Sequence, residues 1–312
     1  MIRYLKILRF PNLVIIVLTQ YLIRYCLLGT FYGSSGVHFV IGNFDFALLV
    51  ISTLLIASGG NIINDIFDVE VDKINKPDKV WIGEIMPKKK AYSLYIVLTV
   101  TGVLTGIYLS FRIGYLMFGL IFFAIALLLY FYSSNYQKVA FLGNIIVSLL
   151  SAMVILITWL YDFFALRAEP ALFAKILPDI KIIYLLIGSY AVFAFMTSFI
   201  REMVKDAEDY EGDLKAGYKT VPVVYGVKTA KATVIIVTIF TMFALAAGQY
   251  LLILHNFVIV FWYLLIAVQS LFVYLLYLMT TAKDKVDFKS VGDAAKIVMV
   301  AGILSMQLFC IS

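Results

Sequence analysis

The residues of this sequence best suited to chemistry are six aspartates in two matched sets. The first set lies in Asn61-Ile-Ile-Asn64-Asp65-Ile-Phe-Asp68-Val-Glu-Val-Asp72. The second lies in Arg201-Glu202-Met-Val-Lys205-Asp206-Ala-Glu208-Asp209-Tyr-Glu211-Gly212-Asp213. Both follow the spacing D-x-x-D-x-x-x-D, and Asp65, Asp68 and Asp72 each precede their counterparts Asp206, Asp209 and Asp213 by 141 residues. On a helix, positions i, i+3 and i+7 share a face, so each run predicts a carboxylate stripe. Asn61 and Asn64 fall beside the first stripe or one turn deeper.

Carboxylates near hydrocarbon are expensive, and three close together repel. A divalent cation relieves both costs. An oxygen-only donor set favours Mg²⁺ over zinc, and Mg²⁺ is commonly shared between a few carboxylates and substrate phosphates. Two stripes of identical spacing read as a duplicated half-molecule whose halves face each other, with two metal ions bridging a diphosphate. Arg201, Lys205, Lys138, Lys73, Lys76 and Lys79 lie near the stripes in sequence or on the same side of the membrane. Cationic groups there stabilise charge as it develops on a diphosphate leaving group. The bland alternative, acids solvated at helix ends, suits one aspartate better than six in register. For Lys73, Lys76 and Lys79 a topology-setting role weighs equally, and for Lys88, Lys89 and Lys90 it is preferred. Intramembrane acids also mark ion pathways, so a cation-coupled transporter stays open. Against it, the acids sit at one membrane face among basic residues.

The elements that position these residues are membrane helices. The 312-residue chain is 63% hydrophobic and 14% charged, where a soluble domain carries about 25% charged residues. Its mean hydropathy is +0.99. Nine apolar stretches long enough to span a bilayer run over approximately 11–32, 46–67, 91–110, 114–133, 141–161, 182–204, 230–252, 257–279 and 294–311. An all-α, polytopic fold follows, read as one membrane domain over 1–312 because no Pro/Gly/Ser linker divides it. With the N-terminus cytosolic, only Arg24, Arg112, Arg167, Lys175 and Lys181 of the 25 Lys and Arg face outward. That bias obeys the positive-inside rule and places both Asp motifs on the cytosolic side. It also accounts for the net charge of +6 without nucleic acid. Cys26 and Cys310 lack metal-ligand spacing and read as small core or lipid-facing residues. No obligate protein partner is implied.

These residues resemble the UbiA prenyltransferase superfamily. Asn64-Asp65-x-x-Asp68-x-x-x-Asp72-x-x-Asn75-x-Pro77 resembles its first motif, and Lys205-Asp206-x-x-Asp209-x-x-Gly212-Asp213-x-x-x-Gly217-x-x-Thr220-x-Pro222 its second. Arg9-Phe-Pro11-Asn12 resembles the family's opening, and Tyr132-Ser133, Lys138 and Leu142-Gly143-Asn144 the start of its fifth helix. The resemblance implies a helical bundle around a central cavity and Mg²⁺-dependent transfer of an isoprenyl chain from its diphosphate. Asp65, Asp68, Asp206 and Asp209 would hold the metal, with Lys138, Arg201 and Asn61 or Asn64 helping to bind the diphosphate. Lys205, Asp72 and Asp213 would support that site, and Tyr132 and Asn144 are candidate cavity residues. Family members often follow the first motif with Arg-Pro; here Lys79 stands near that place, as a point charge and not a bidentate fork. The second motif looks most like the branch that adds a second geranylgeranyl chain to geranylgeranylglyceryl phosphate. An aromatic acid such as 4-hydroxybenzoate is the alternative acceptor. The expected setting is a prokaryotic cell membrane, with membrane lipids around the chain.

Overall fold

The computed structural model describes residues 7–77 and 80–311. Lys79, given a role above, lies outside the described residues. Among the described residues there is no strand, and nine helices are long and apolar enough to cross a membrane. They are α1 Phe10–Ser34, α2 Asn43–Asn75, α3 Lys88–Arg112, α4 Leu116–Ser134, α5 Leu142–Arg167, α6 Ile180–Glu208, α7 Val227–Leu254, α8 Val258–Thr281 and α9 Lys285–Ile311. The chain is an integral membrane protein of the expected all-α class.

The two short breaks in apolar sequence do separate helices. Gly114 (φ +79°) turns the chain between α3 and α4, and Asn256 (φ +63°) between α7 and α8. Three helices outrun their apolar cores. α2 continues to Asn75, where Pro77 cannot extend it. α6 continues to Glu208. α9 begins at Lys285, well before position 294, because Asp284 and Asp287 form a capping box at its N-terminus.

Two compact units are formed. The first comprises residues 1–18, 41–146 and 211–219. Here α2, α3 and α4 pack closely through small residues, as membrane helices do. Ser52 donates to the Gly102 carbonyl at 2.7 Å, and a side chain at Gly106 would overlap the Phe122 ring. The second unit comprises residues 19–40, 147–210 and 220–312. In it α6 packs against α7 and α9. The Tyr190 and Ser305 hydroxyls hydrogen-bond at 2.7 Å, and Ser151 and Ser198 do so at 3.0 Å.

Two features of the second unit go beyond what the sequence suggested. Arg24, counted above only among the outward-facing basic residues, is not a surface charge. It sits in a π-helical segment, Leu22–Leu28, fully buried, with Nη1 donating to both Asp162 carboxylate oxygens at 3.0 and 3.3 Å. Its guanidinium also lies 4.3 Å from the Phe39 ring centroid. In an apolar interior a charge survives by being paired, and Asp162 supplies the pair. Cys26 and Cys310 are not isolated small residues: they form a disulfide with Cα atoms 4.8 Å apart, across 284 residues of sequence. Sequence separation concealed it; the fold lays the end of α9 beside α1, where Thr30 also donates to the Phe309 carbonyl at 2.8 Å.

Candidate active site

The first Asp motif is continuous helix, so its rotation follows helix geometry. Seven residues make almost two turns, which brings Asp65 and Asp72 nearly into line, while Asp68 is offset by roughly 60°. The structure uses that offset. Asp65 and Asp72 line one small crevice with Val69, Val80, Trp81 and Ile82. Its wall is held by the apolar contacts of Ile82 and Met86 with Ile7, Ile62, Ile63, Ile66 and Ala91, and Gly83 (φ +98°) allows the turn. Asp65 accepts from Arg9 at 2.6 Å. Asp68 points elsewhere: its Oδ2 accepts from Asn64 at 2.7 Å, and its Oδ1 from Gln137 at 2.5 Å and the Tyr218 hydroxyl at 3.4 Å. Asn61 donates to the Leu8 carbonyl at 3.1 Å, tying the approach to α1 onto α2.

The second motif does not form the continuous stripe its spacing predicts. α6 stops at Glu208, Asp209 caps it (φ −92°, ψ 7°), and a short helix, Tyr210–Lys215, begins anew. Asp206 and Asp209 therefore remain with the second unit, while Asp213 belongs to a segment, Glu211–Lys219, that folds with the first. The break is anchored at Gly212. Its N–H donates to Asn75 Oδ1 at 3.1 Å, and a methyl at this position would overlap the Asn75 amide. Only glycine permits that approach.

The same segment delivers Tyr218. Lys219 N–H donates to the Lys138 carbonyl at 2.8 Å, which sets the Tyr136–Lys138 turn beside it. The Lys138 ammonium lies 5.1 Å from the Tyr218 ring centroid, within cation–π range. The Tyr218 phenol is pushed well above its ordinary value, first by burial, then by the charges of Asp68 and Asp213, with Asp72 adding to them. Its hydroxyl is thus a donor, and carboxylates of both motifs surround it.

Of the other expected residues, Asp209 and Asp213 are buried, and Asp206 and Lys205 half-buried. Arg201 pairs with Glu202. Tyr132 is half-buried on α4, and Asn144 is buried in the first turn of α5. Arg9, Gln137 and Tyr218 were missed as site residues. Arg9 was signalled only as part of the stretch that resembles the family's opening, and the other two by adjacency: Gln137 precedes Lys138, and Tyr218 follows Asp213 by five positions.

The oxygen donors suit a hard divalent cation. Asp65 and Asp72 offer carboxylates in one crevice, and Asp68 adds a third carboxylate on the same helix. Among the described residues no three acidic, His or Cys side chains converge into a ready metal cluster. Arg9 supplies positive charge at Asp65.

Comparison with known proteins decides the family. The profile of the UbiA prenyltransferase family matches residues 22–300. The chain belongs to this family. As a UbiA prenyltransferase it is a transferase, and its relatives are consistent. It is 26% identical over 266 residues to the digeranylgeranylglyceryl phosphate synthase of Methanosphaera stadtmanae, covering 85% of this chain and 88% of that one. It is 31% identical over 213 residues to the same-named protein of Thermococcus gammatolerans, covering 66% and 67%. The fold matches a solved digeranylgeranylglyceryl phosphate synthase structure with a TM-score of 0.64 at 22% identity, over 99% of this chain and 98% of that one. It matches a UbiA homologue from Archaeoglobus fulgidus, bound to DMAPP and Mg²⁺, with a TM-score of 0.54 at 15% identity, over 97% and 99%.

Proposed function

We propose that this UbiA prenyltransferase transfers a geranylgeranyl chain from its diphosphate to geranylgeranylglyceryl phosphate, with Mg²⁺ as cofactor. The observation that carries the acceptor is the name shared by relatives matched over most of the chain. The donor class and the metal are supported by the Archaeoglobus fulgidus homologue, bound to DMAPP or GPP together with Mg²⁺, and by the oxygen donors of the two motifs here.

In this reading Asp65, Asp68, Asp206 and Asp209 hold the metal, with Asp72 and Asp213 in support. When bound, Mg²⁺ supplies the positive charge that makes diphosphate a competent leaving group. Lys138, Arg201, Lys205 and Lys79 neutralise the phosphate oxygens, and Asn61 and Asn64 orient the acids. Ionisation of the allylic C–O bond leaves a carbocation, which the helices shield from water. Aromatic faces, Tyr132 among them, stabilise that cation, and Asn144 helps line the apolar space. The acceptor hydroxyl oxygen then forms the new C–O bond, and its proton passes to the released diphosphate. The whole chain, 1–312, works as one membrane domain with its N-terminus and Asp motifs cytosolic, in a prokaryotic cell membrane.

The test is acceptor choice by purified, detergent-solubilised protein given radiolabelled geranylgeranyl diphosphate and Mg²⁺. Labelled product with geranylgeranylglyceryl phosphate and none with 4-hydroxybenzoate is expected. The reverse pattern would move the protein to an aromatic acceptor.

A further inference from the structure

The Asp68 carboxylate is held by donors from outside its own helix as well as from within it. Three side chains reach it from three segments: Asn64 from α2, Gln137 from the turn before α5, and Tyr218 from the segment after the second motif. Gln137 and Tyr218 share one oxygen, and Asn64 takes the other. The two outside donors arrive as a set. The backbone bond from Lys219 to the Lys138 carbonyl, at 2.8 Å, ties the residue after Tyr218 to the residue after Gln137. The Lys138 ammonium then rests over the Tyr218 ring.

We infer that Tyr218 and Gln137 are positioning residues, which fix the plane of the Asp68 carboxylate toward the cation. The inference rests on the proposed metal-dependent transfer and assigns it two residues outside the aspartate motifs. Groups that orient a metal ligand typically contribute 10–100-fold in metal affinity. Tyr218 also joins the motifs in a way their spacing does not: its own segment carries Asp213, while its hydroxyl serves Asp68.

The test is Mn²⁺ binding to the full-length protein in detergent, followed by electron paramagnetic resonance without substrate, for the parent and for Tyr218→Phe and Gln137→Leu. Both changes keep the bulk of the side chain, and the phenylalanine keeps the ring under Lys138. Each variant is expected to bind Mn²⁺ about tenfold more weakly at an unchanged melting temperature. The Mg²⁺ concentration for half-maximal transfer should rise in step, and excess Mg²⁺ should restore the rate. A packing role would not give that rescue. If the parent binds Mn²⁺ and transfers the prenyl chain while both variants bind it equally well, the positioning role is wrong and the proposed function stands. If the parent binds no divalent cation, both fall together.

Discussion

The Gly212 N–H donates to the Asn75 side chain across 137 residues of sequence, and no side chain larger than hydrogen fits at 212. This contact joins the tail of the first Asp motif to the segment that carries Asp213 and Tyr218. Gly212→Ala should therefore do more than its size suggests. Overpacking costs about 1–3 kcal/mol, and displacement of Asp213 and Tyr218 should lower transfer at least about tenfold. Asn75→Ala removes one hydrogen bond, about 1 kcal/mol, and should be the milder variant. Melting temperature and initial rate, measured side by side, check the order.

Asp68→Asn keeps the shape but turns an acceptor into a partial donor facing Gln137, Asn64 and Tyr218. Loss of a group that supports charge at the reacting centre typically costs about 10²–10³ in kcat. A fall of that size, with the melting temperature preserved, is expected. Near-parent kcat would remove Asp68 from the machinery.

The Arg24–Asp162 pair predicts an asymmetry. Asp162→Ala leaves a buried arginine without its countercharge and should cost about 3–5 kcal/mol. Replacing both residues with leucine should recover most of that loss, because paired apolar groups carry no desolvation penalty. Unfolding in a denaturing detergent series measures both. A double variant no more stable than the single would contradict the account.

The Cys26–Cys310 disulfide predicts that a thiol-reactive mass tag adds nothing to the unreduced protein and two tags after reduction. Substituting both by serine should lower stability by about 2–4 kcal/mol. Tagging of both cysteines in unreduced, denatured protein would show the bond absent.

What the sequence revealed follows from how local each feature is. The nine spans were legible because hydropathy is a property of consecutive residues. The aspartates were legible because their spacing repeats after 141 residues. The break of α6 at Asp209 was hidden, because it depends on Gly212 meeting Asn75. Gln137 and Tyr218 were hidden for the same reason: nothing near either residue announces a carboxylate on α2. The role of Arg24 was hidden because its partner, Asp162, is 138 residues away.

The central claim is metal-dependent prenyl transfer through both Asp motifs. Its most direct test is a Mg²⁺ titration of transfer from geranylgeranyl diphosphate to geranylgeranylglyceryl phosphate by the purified parent, Asp65→Asn and Asp206→Asn proteins. The account predicts product that rises with Mg²⁺ in the parent, vanishes with chelator, and is nearly abolished in either variant while both stay folded. Undiminished product in chelator, or in both variants, would contradict it.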